Sequence, residues 1–285
     1  QYGRGWSLER FHAHLIEPQV MPIIGYPRAW TTSTNGTVTA DVVRVLIQSQ
    51  ADVERYRGTL AGKVVLMQPT RTVAMLEEDL VLRMDEALLD EATRPVEGAS
   101  QQQGSGGTGA RIEDYVDAFL REEGVVALLD RGSDVSFVGG APSGGQLVWP
   151  TQRTDGGTVF VGAGGSRAID ATPVVPTATI AVEHYNRMVR LLDQGVPVRV
   201  EINIQTRFHE EVRPNGFNLI GELPGTDLAN EVVLLGAHFD STHASTGATD
   251  NAAGVAAMME ALRILQAVKA QPRRKKICLA STPME

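Results

Sequence analysis

Between Val198 and Ile204 the chain alternates with a period of two: Val198, Val200, Ile202 and Ile204 are apolar, and Arg199, Glu201 and Asn203 lie between them. Successive side chains of a strand point to opposite faces, so this stretch predicts a strand with one buried face. Phe217 to Leu223 predicts a second strand, closed by the turn Pro224-Gly225-Thr226-Asp227. Glu231 to Ala237 predicts a third, and its centre, Val232-Val233-Leu234-Leu235, is apolar on both faces, as expected of a central strand in an α/β sheet. From about Asp250 to Val268 the period lengthens to that of a helix, with Val255, Met258, Met259, Leu262 and Leu265 on one stripe. Lys276 to Ala280 then predicts the next strand.

Upstream the pattern is more broken. Residues 1–40 mix aromatics with Pro18, Pro22 and Pro27, which predicts extended, turn-interrupted structure, and Asn35-Gly36 is a hairpin signal. Val42 to Ile47 reads as a strand, Asp52 to Gly58 as a short helix and Gly62 to Met67 as a buried strand. Leu76, Leu80, Met84 and Leu88 give Arg71 to Leu89 a helical period, and Glu97 to Ala110 reads as a loop rich in glycine, serine and glutamine. Arg111 to Glu123 predicts a helix and Val125 to Leu129 a short strand. After more glycine-rich chain come Pro173 to Ile180 and a helix from Val182 to Gln194, ended by Gly195. This alternation predicts an α/β or β-rich module over residues 36–200.

Composition narrows the function classes. A chain of 285 residues holds one large or two modest domains. Its net charge of −8 disfavours nucleic acid as a partner, and Arg273-Arg274-Lys275-Lys276 reads as the solvated start of a strand. Cys278 is the only cysteine, which excludes an intrachain disulfide and a cysteine-based zinc site. No apolar run reaches the ~18–20 residues of a membrane span. The chain starts at Gln1 without Met or signal-peptide pattern and stops at Glu285 directly after a predicted strand, so both ends read as cut.

Three motifs are set aside. Gly104-Ser105-Gly106-Gly107-Thr108-Gly109 matches the dinucleotide fingerprint, but Ala99 to Gln103 before it is no buried strand. His209-Glu210-Glu211-Val212-Arg213 has Arg213 where a helix-borne zinc motif needs its second histidine. No Gly-x-Ser-x-Gly elbow occurs.

The third predicted strand ends in Gly236-Ala237-His238-Phe239-Asp240-Ser241, so His238 and Asp240 share a side at its carboxyl end. That edge is where open α/β sheets bind ligands. Gly247-Ala248-Thr249-Asp250-Asn251-Ala252-Ala253-Gly254 then opens the helix and sets Asp250 at or just before its start. An imidazole and a carboxylate suit zinc, a carboxylate can bridge two ions, and Asp240 is placed to fix the tautomer of His238. The same residues also fit plainer roles: Asp250 as a helix N-cap and His238 as a polar rim residue.

These two motifs, at this separation, resemble the co-catalytic di-zinc exopeptidases, the aminopeptidase-Y, bacterial leucyl aminopeptidase and glutamate carboxypeptidase-like enzymes. Gly62-Lys63-Val64-Val65-Leu66 and Val175 to Ile180 look like pieces of the protease-associated domain that many of them carry as an insertion. The resemblance implies a partial zinc-exopeptidase α/β sheet plus an inserted β-rich domain. It divides the chain into a lead-in (1–35), the insertion (36–200) and an incomplete exopeptidase domain (201–285). It implies two zinc ions, His238 as ligand to one, Asp250 bridging both, Asp240 orienting His238, and Glu285 as general base or, with Met284 in the base's place, as ligand. Further ligands would lie beyond residue 285, so the piece by itself is expected to be inactive. Peptide substrates and a secreted, envelope or periplasmic location follow from the same likeness. The rival expectation is a peptidase-like binding or receptor module without catalysis. Neither the terminus processed nor the oligomeric state is set by the sequence.

Overall fold

In a computed structural model of the chain, residues 3–71, 86, 112–132, 159, 161–162, 164–209 and 217–282 are described. The predicted helix over Arg71 to Leu89, apart from Arg71 and Glu86, lies outside them, as do the loop from Glu97 to Ala110 and residue Glu285. The chain divides into two units, one comprising residues 7–166 and 172–207, the other residues 1–6, 167–171 and 208–285.

The first unit is built on an eight-stranded mixed sheet in the order β2-β1-β8-β4-β5-β6-β7-β3. Its strands are β1 (Gly5–Glu17), β2 (Met21–Pro22), β3 (Gly25–Pro27), β4 (Val38–Arg44), β5 (Val64–Leu66), β6 (Ala127–Asp130), β7 (Thr177–Ile180) and β8 (Arg199–His209). Strands β4 to β7 run parallel, with β8 antiparallel to β4 and β3 antiparallel to β7. Val64, Val65 and Leu66 are wholly buried, because helices cover β5 on both faces. Tyr185, Met188 and Val189 of α3 (Val182–Asp193) join one core cluster. Val53 of α1 (Gln50–Tyr56) and Val116, Phe119 and Leu120 of α2 (Ile112–Glu122) join the other. Ser49 and Asp52 start α1 with a reciprocal capping box. Gly195, at φ +74°, ends α3 as the sequence predicts.

The period-two alternation holds in β8, where Val200, Ile202 and Ile204 face the core, with Val198 buried just ahead of the strand. Two expectations change. Residues 5–17 form one long strand rather than interrupted pieces. Gly36 makes a turn at φ +68°, but the strand after it pairs with β8 and β5, so Asn35-Gly36 closes no hairpin between sequence neighbours.

The second unit holds β9 (Phe217–Leu223), β10 (Leu228–His238), α4 (Ala253–Ala267) and β11 (Arg274–Thr282). Strand β10 runs parallel to β11, joined through α4 as a βαβ crossover, and β9 is antiparallel to β11. The order β10-β11-β9 puts β10 at an edge, not at the centre the sequence predicts, and Val232, Leu234 and Leu235 are exposed. One helix covers one face of three strands, and β11 is the only neighbour of β10 among the described residues. On α4 the predicted stripe holds at Val255, which is buried, and at the part-buried Met258, Leu262 and Leu265, whereas Met259 is exposed. The basic run starts β11 at the surface: Arg273 pairs with Asp227 at 2.7 Å, Arg274 with Glu231 at 2.6 Å and Lys275 with Glu222 at 3.7 Å. No described helix is long and apolar enough to cross a membrane.

Tyr185 ties the buried face of α3 to the end of β5, its hydroxyl accepting from the Gln68 N–H and donating to the Gln68 carbonyl, both at 2.8 Å. Burial pushes its pKa up to about 12. Tyr185→Phe leaves two backbone groups unpaired and should cost about 1–3 kcal/mol in urea unfolding. The folded phenol stays neutral above the ordinary value of 10, so its stabilising contribution is complete below pH 10 and is lost as pH rises through about 12. Alkaline unfolding curves of the wild type and the Phe variant should converge over that range.

Candidate functional site

Strand β10 ends at His238, which lies in register with Ser281 of β11, so the carboxyl ends of two parallel strands meet at one edge. The chain turns through residues 239–247 and enters an irregular turn, Ala248–Ala252, before α4. Asp250 sits in that turn with φ −119° and ψ 93°, outside helical geometry, and the Asp250–Asn251 peptide is cis. Gly247 is required on two counts. Its φ is +69°, and an added Cβ would come within 2.8 Å of Ser241 Cβ. Gly254 is required because a Cβ there would collide with Asn251 Oδ1 and crowd Ala237 Cβ at 3.3 Å. The glycines of the motif therefore let the turn that carries Asp250 close onto the end of β10.

Three of the four predicted site residues come together. His238 Nδ1 is 2.9 Å from Asp240 Oδ1 and 3.1 Å from the Asp240 carbonyl oxygen. His238 Nε2 is 3.1 Å from Asp250 Oδ1. The imidazole is about one-third exposed and Asp240 largely covered, while Asp250 is 68% exposed and keeps its carboxylate open to solvent. Glu285, the fourth, lies outside the described residues. Of the motif at His209, only His209 is described, at the end of β8.

The proton count defines the chemistry. A neutral imidazole carries one N–H, and with Asp240 on the Nδ1 side that proton belongs at Nδ1. Nε2 then presents a lone pair to a carboxylate oxygen 3.1 Å away, and two acceptors at that distance require a positive charge between them. A second proton on the ring supplies it, and so would a cation. Ligands held at 2.0–2.1 Å around tetrahedral zinc are themselves about 3.3 Å apart, so the Nε2 and Oδ1 spacing fits a shared ion. The plainer roles fit less well: Asp250 makes no N-cap bond to α4. Two donors are not a complete centre, and among the described residues no group of three or more His, Cys, Asp or Glu is arranged to hold a metal.

His243 went unremarked in the sequence. Its ring meets Trp6 edge-on, with centroids 5.3 Å apart, and burial holds its pKa below the usual imidazole value. This packing anchors the loop between His238 and Asp250. The signal was a histidine in the loop five residues past His238.

The family match falls on this same region. Residues 218–285 match Peptidase family M28, and the likeness to zinc exopeptidases read from the two motifs is borne out on that segment. The chain is similar to human carboxypeptidase Q, 29% identical over 105 residues, which are 37% of this chain and 22% of that protein. It is 30% identical to the mouse carboxypeptidase Q over the same shares. The aligned stretch thus spans about a fifth of the length of these relatives. In fold, it resembles a peptidase M28 precursor from Shewanella amazonensis with a TM-score of 0.58 and 18% identity, over 97% of this chain and 52% of that one. The mixed α/β architecture agrees with that likeness.

Desolvation pulls the His238 pKa down, but the Asp240 backbone carbonyl, the Asp240 carboxylate and the charge of Asp250 together lift it above 6.5. In metal-free protein this pairing stabilises the fold fully below the unfolded value of 6.5, and the contribution is lost as pH rises through the raised folded value. An NMR titration of the His238 ring should give a midpoint above 6.5 in the wild type and a lower one in Asp240→Asn. An unchanged midpoint would contradict the role given to Asp240.

Proposed function

We propose that residues 201–285 are the first part of a zinc-dependent exopeptidase domain, and that the full-length protein hydrolyses peptide bonds at a chain terminus. The observation that carries this reading is His238, with Nδ1 occupied by Asp240 and Nε2 turned to Asp250. The M28 match over residues 218–285 supports a hydrolase over a binding module without catalysis.

In this reading His238 and Asp250 would hold zinc, and Asp250, whose carboxylate is open to solvent, would serve a second ion as well. Zinc held there would supply the chemistry of a water with lowered pKa and a polarised scissile carbonyl. Asp240 keeps the proton on Nδ1, so the Nε2 lone pair stays available, and holds the ring in plane. Glu285 would serve as the general base that takes the water's proton and returns it to the leaving amine or, with Met284 in the base's place, as a further ligand. Residues 36–200 are assigned as an inserted protease-associated domain after a lead-in of residues 1–35. The segments 1–6 and 208–285 of one unit enclose the other, which supports an insertion, while β1 to β3 of the lead-in join the sheet of the inserted unit. Peptides as substrates and export beyond the cytoplasm complete the reading.

Full-length protein should cleave short peptides with one free terminus, lose the activity on chelation and regain it with zinc. Activity that persists after complete zinc removal overturns the proposal. Asp240→Asn should lower zinc affinity by roughly 10–100-fold with the fold intact, as expected for a residue that positions a ligand. Competition titration with a chromophoric chelator measures it.

A further inference from the structure

The loop from Phe239 to Gly247 carries Asp240 near its start and leads into the turn that holds Asp250. Thr242, Ala244, Ser245 and Thr246 are exposed, whereas Gly247 is buried. Inside the loop the Ser245 N–H donates to the Thr242 carbonyl at 3.0 Å, and the Gly247 N–H to the Ser245 hydroxyl at 3.2 Å. The ends of the loop meet, with Ser241 lying directly against Gly247. A shift of the middle is therefore passed to Asp240 on one side and to the turn of Asp250 on the other. That middle is held by His243, whose ring meets Trp6 edge-on with an angle of 84° between the planes. Trp6 is itself 6% exposed, and the chain just before it is pinned. The Arg4 N–H donates to the Arg167 carbonyl at 2.8 Å, and the buried Arg4 guanidinium lies 4.3 Å over the Phe208 ring. Arg4, Trp6, Arg167, Phe208, His238, His243 and Asp250 all belong to one unit.

We propose that Trp6 is a positioning residue of the His238 centre: by seating the His243 ring it fixes the loop that sets Asp240 against Nδ1 and Asp250 against Nε2. The inference rests on the reading of His238 and Asp250 as zinc ligands, and it adds a side chain that lies far away in sequence and in no motif. The physical case is one of tolerance. The 3.1 Å between Nε2 and Asp250 Oδ1 fits a shared ion, and such a constellation works only when its members are held to within about 0.5 Å. Asp250 is 68% exposed and makes no N-cap bond to α4, so its place is set by the chain on either side of it. Asn251 and Gly254 define the chain after it, and the contact of His243 with Trp6 defines the chain before it. An edge-on aromatic pair is directional, because the positive rim of one ring meets the negative face of the other. Ring shape carries the contact, so a different aromatic side chain can serve at either position.

Backbone order parameters from NMR relaxation, measured on the zinc-free 285-residue chain, decide the question without any metal. Residues 239–250 should be rigid in the wild type, near about 0.85, and fall below about 0.6 in Trp6→Ala and in His243→Ala. The double variant should be no looser than either single one, since both remove the same contact. His243 lies on a surface loop, so His243→Ala gives the answer even where Trp6→Ala does not fold. Trp6→Phe and His243→Phe should keep the rigid values. In full-length protein, zinc affinity measured by competition with a chromophoric chelator should fall roughly 10–100-fold in the alanine variants, as for residues that orient a ligand, and hold in the phenylalanine variants. A side chain that only stabilised the fold would lower the melting temperature and leave zinc affinity of the folded protein unchanged, and that result overturns the proposal. So does a loop equally rigid in His243→Ala, or zinc affinity lost in His243→Phe, which would assign the role to the ring nitrogens. Absence of zinc binding by the wild type overturns instead the reading of His238 and Asp250 as ligands, and the order parameters then still decide whether Trp6 holds the loop.

Discussion

An imidazole held between two carboxylates has one proton too few. Asp240 and Asp250 both face His238, and the neutral ring satisfies only one of them through a hydrogen bond. The remaining contact at 3.1 Å is tolerable only with positive charge in it, whether a second ring proton or a metal ion. The local architecture follows from that constraint. Strand β10 stops at His238, the chain returns through a turn closed by Gly247, and Gly254 leaves room for Asn251 against the first turn of α4. A larger residue at either glycine would move Asp250 away from Nε2, and the need for a cation would go with it.

Much of this was legible because the site is local. His238, Asp240 and Asp250 lie within 13 residues, on a strand end and a helix entry that hydrophobic period alone identifies. Strand β9 has the predicted bounds, and α3 begins at the predicted Val182 and ends one residue early. The triplet Val64-Val65-Leu66 is buried on both faces, as an apolar run bounded by Gly62 and Gln68 implies. What was not legible is what partners each strand at a distance. In β1 the buried positions are Trp6, then Ala13 and Leu15, so the inward parity changes along the strand and the period-two signal is broken. A shift of one residue in register reverses which side chains face in, and a scan for alternation reads such a strand as two poor ones.

Strand β10 shows a different limit. Val232-Val233-Leu234-Leu235 has the composition of a strand covered on both faces, and the sequence reading placed it at the centre of a sheet. Apolar pattern states what a strand can pair and pack with, and among the described residues the structure gives β10 one strand neighbour, β11, with α4 on one side. Exposed apolar residues on β9 and β10, Phe217, Leu219, Ile220 and Leu234 among them, follow directly from so small a sheet.

The end of β10 separates what strand geometry gives from what a good ligand needs. Alternation along a strand puts residues two apart on one face, and by itself that sets only spacing. Tautomer control is what Asp240 adds to His238. Asp240 spends its carboxylate on holding one ring nitrogen as a donor, which commits the other to be an acceptor. An imidazole without such a partner must select a tautomer as each ligand binds, whereas the ring of His238 presents its lone pair on the side of Asp250 before any ligand arrives.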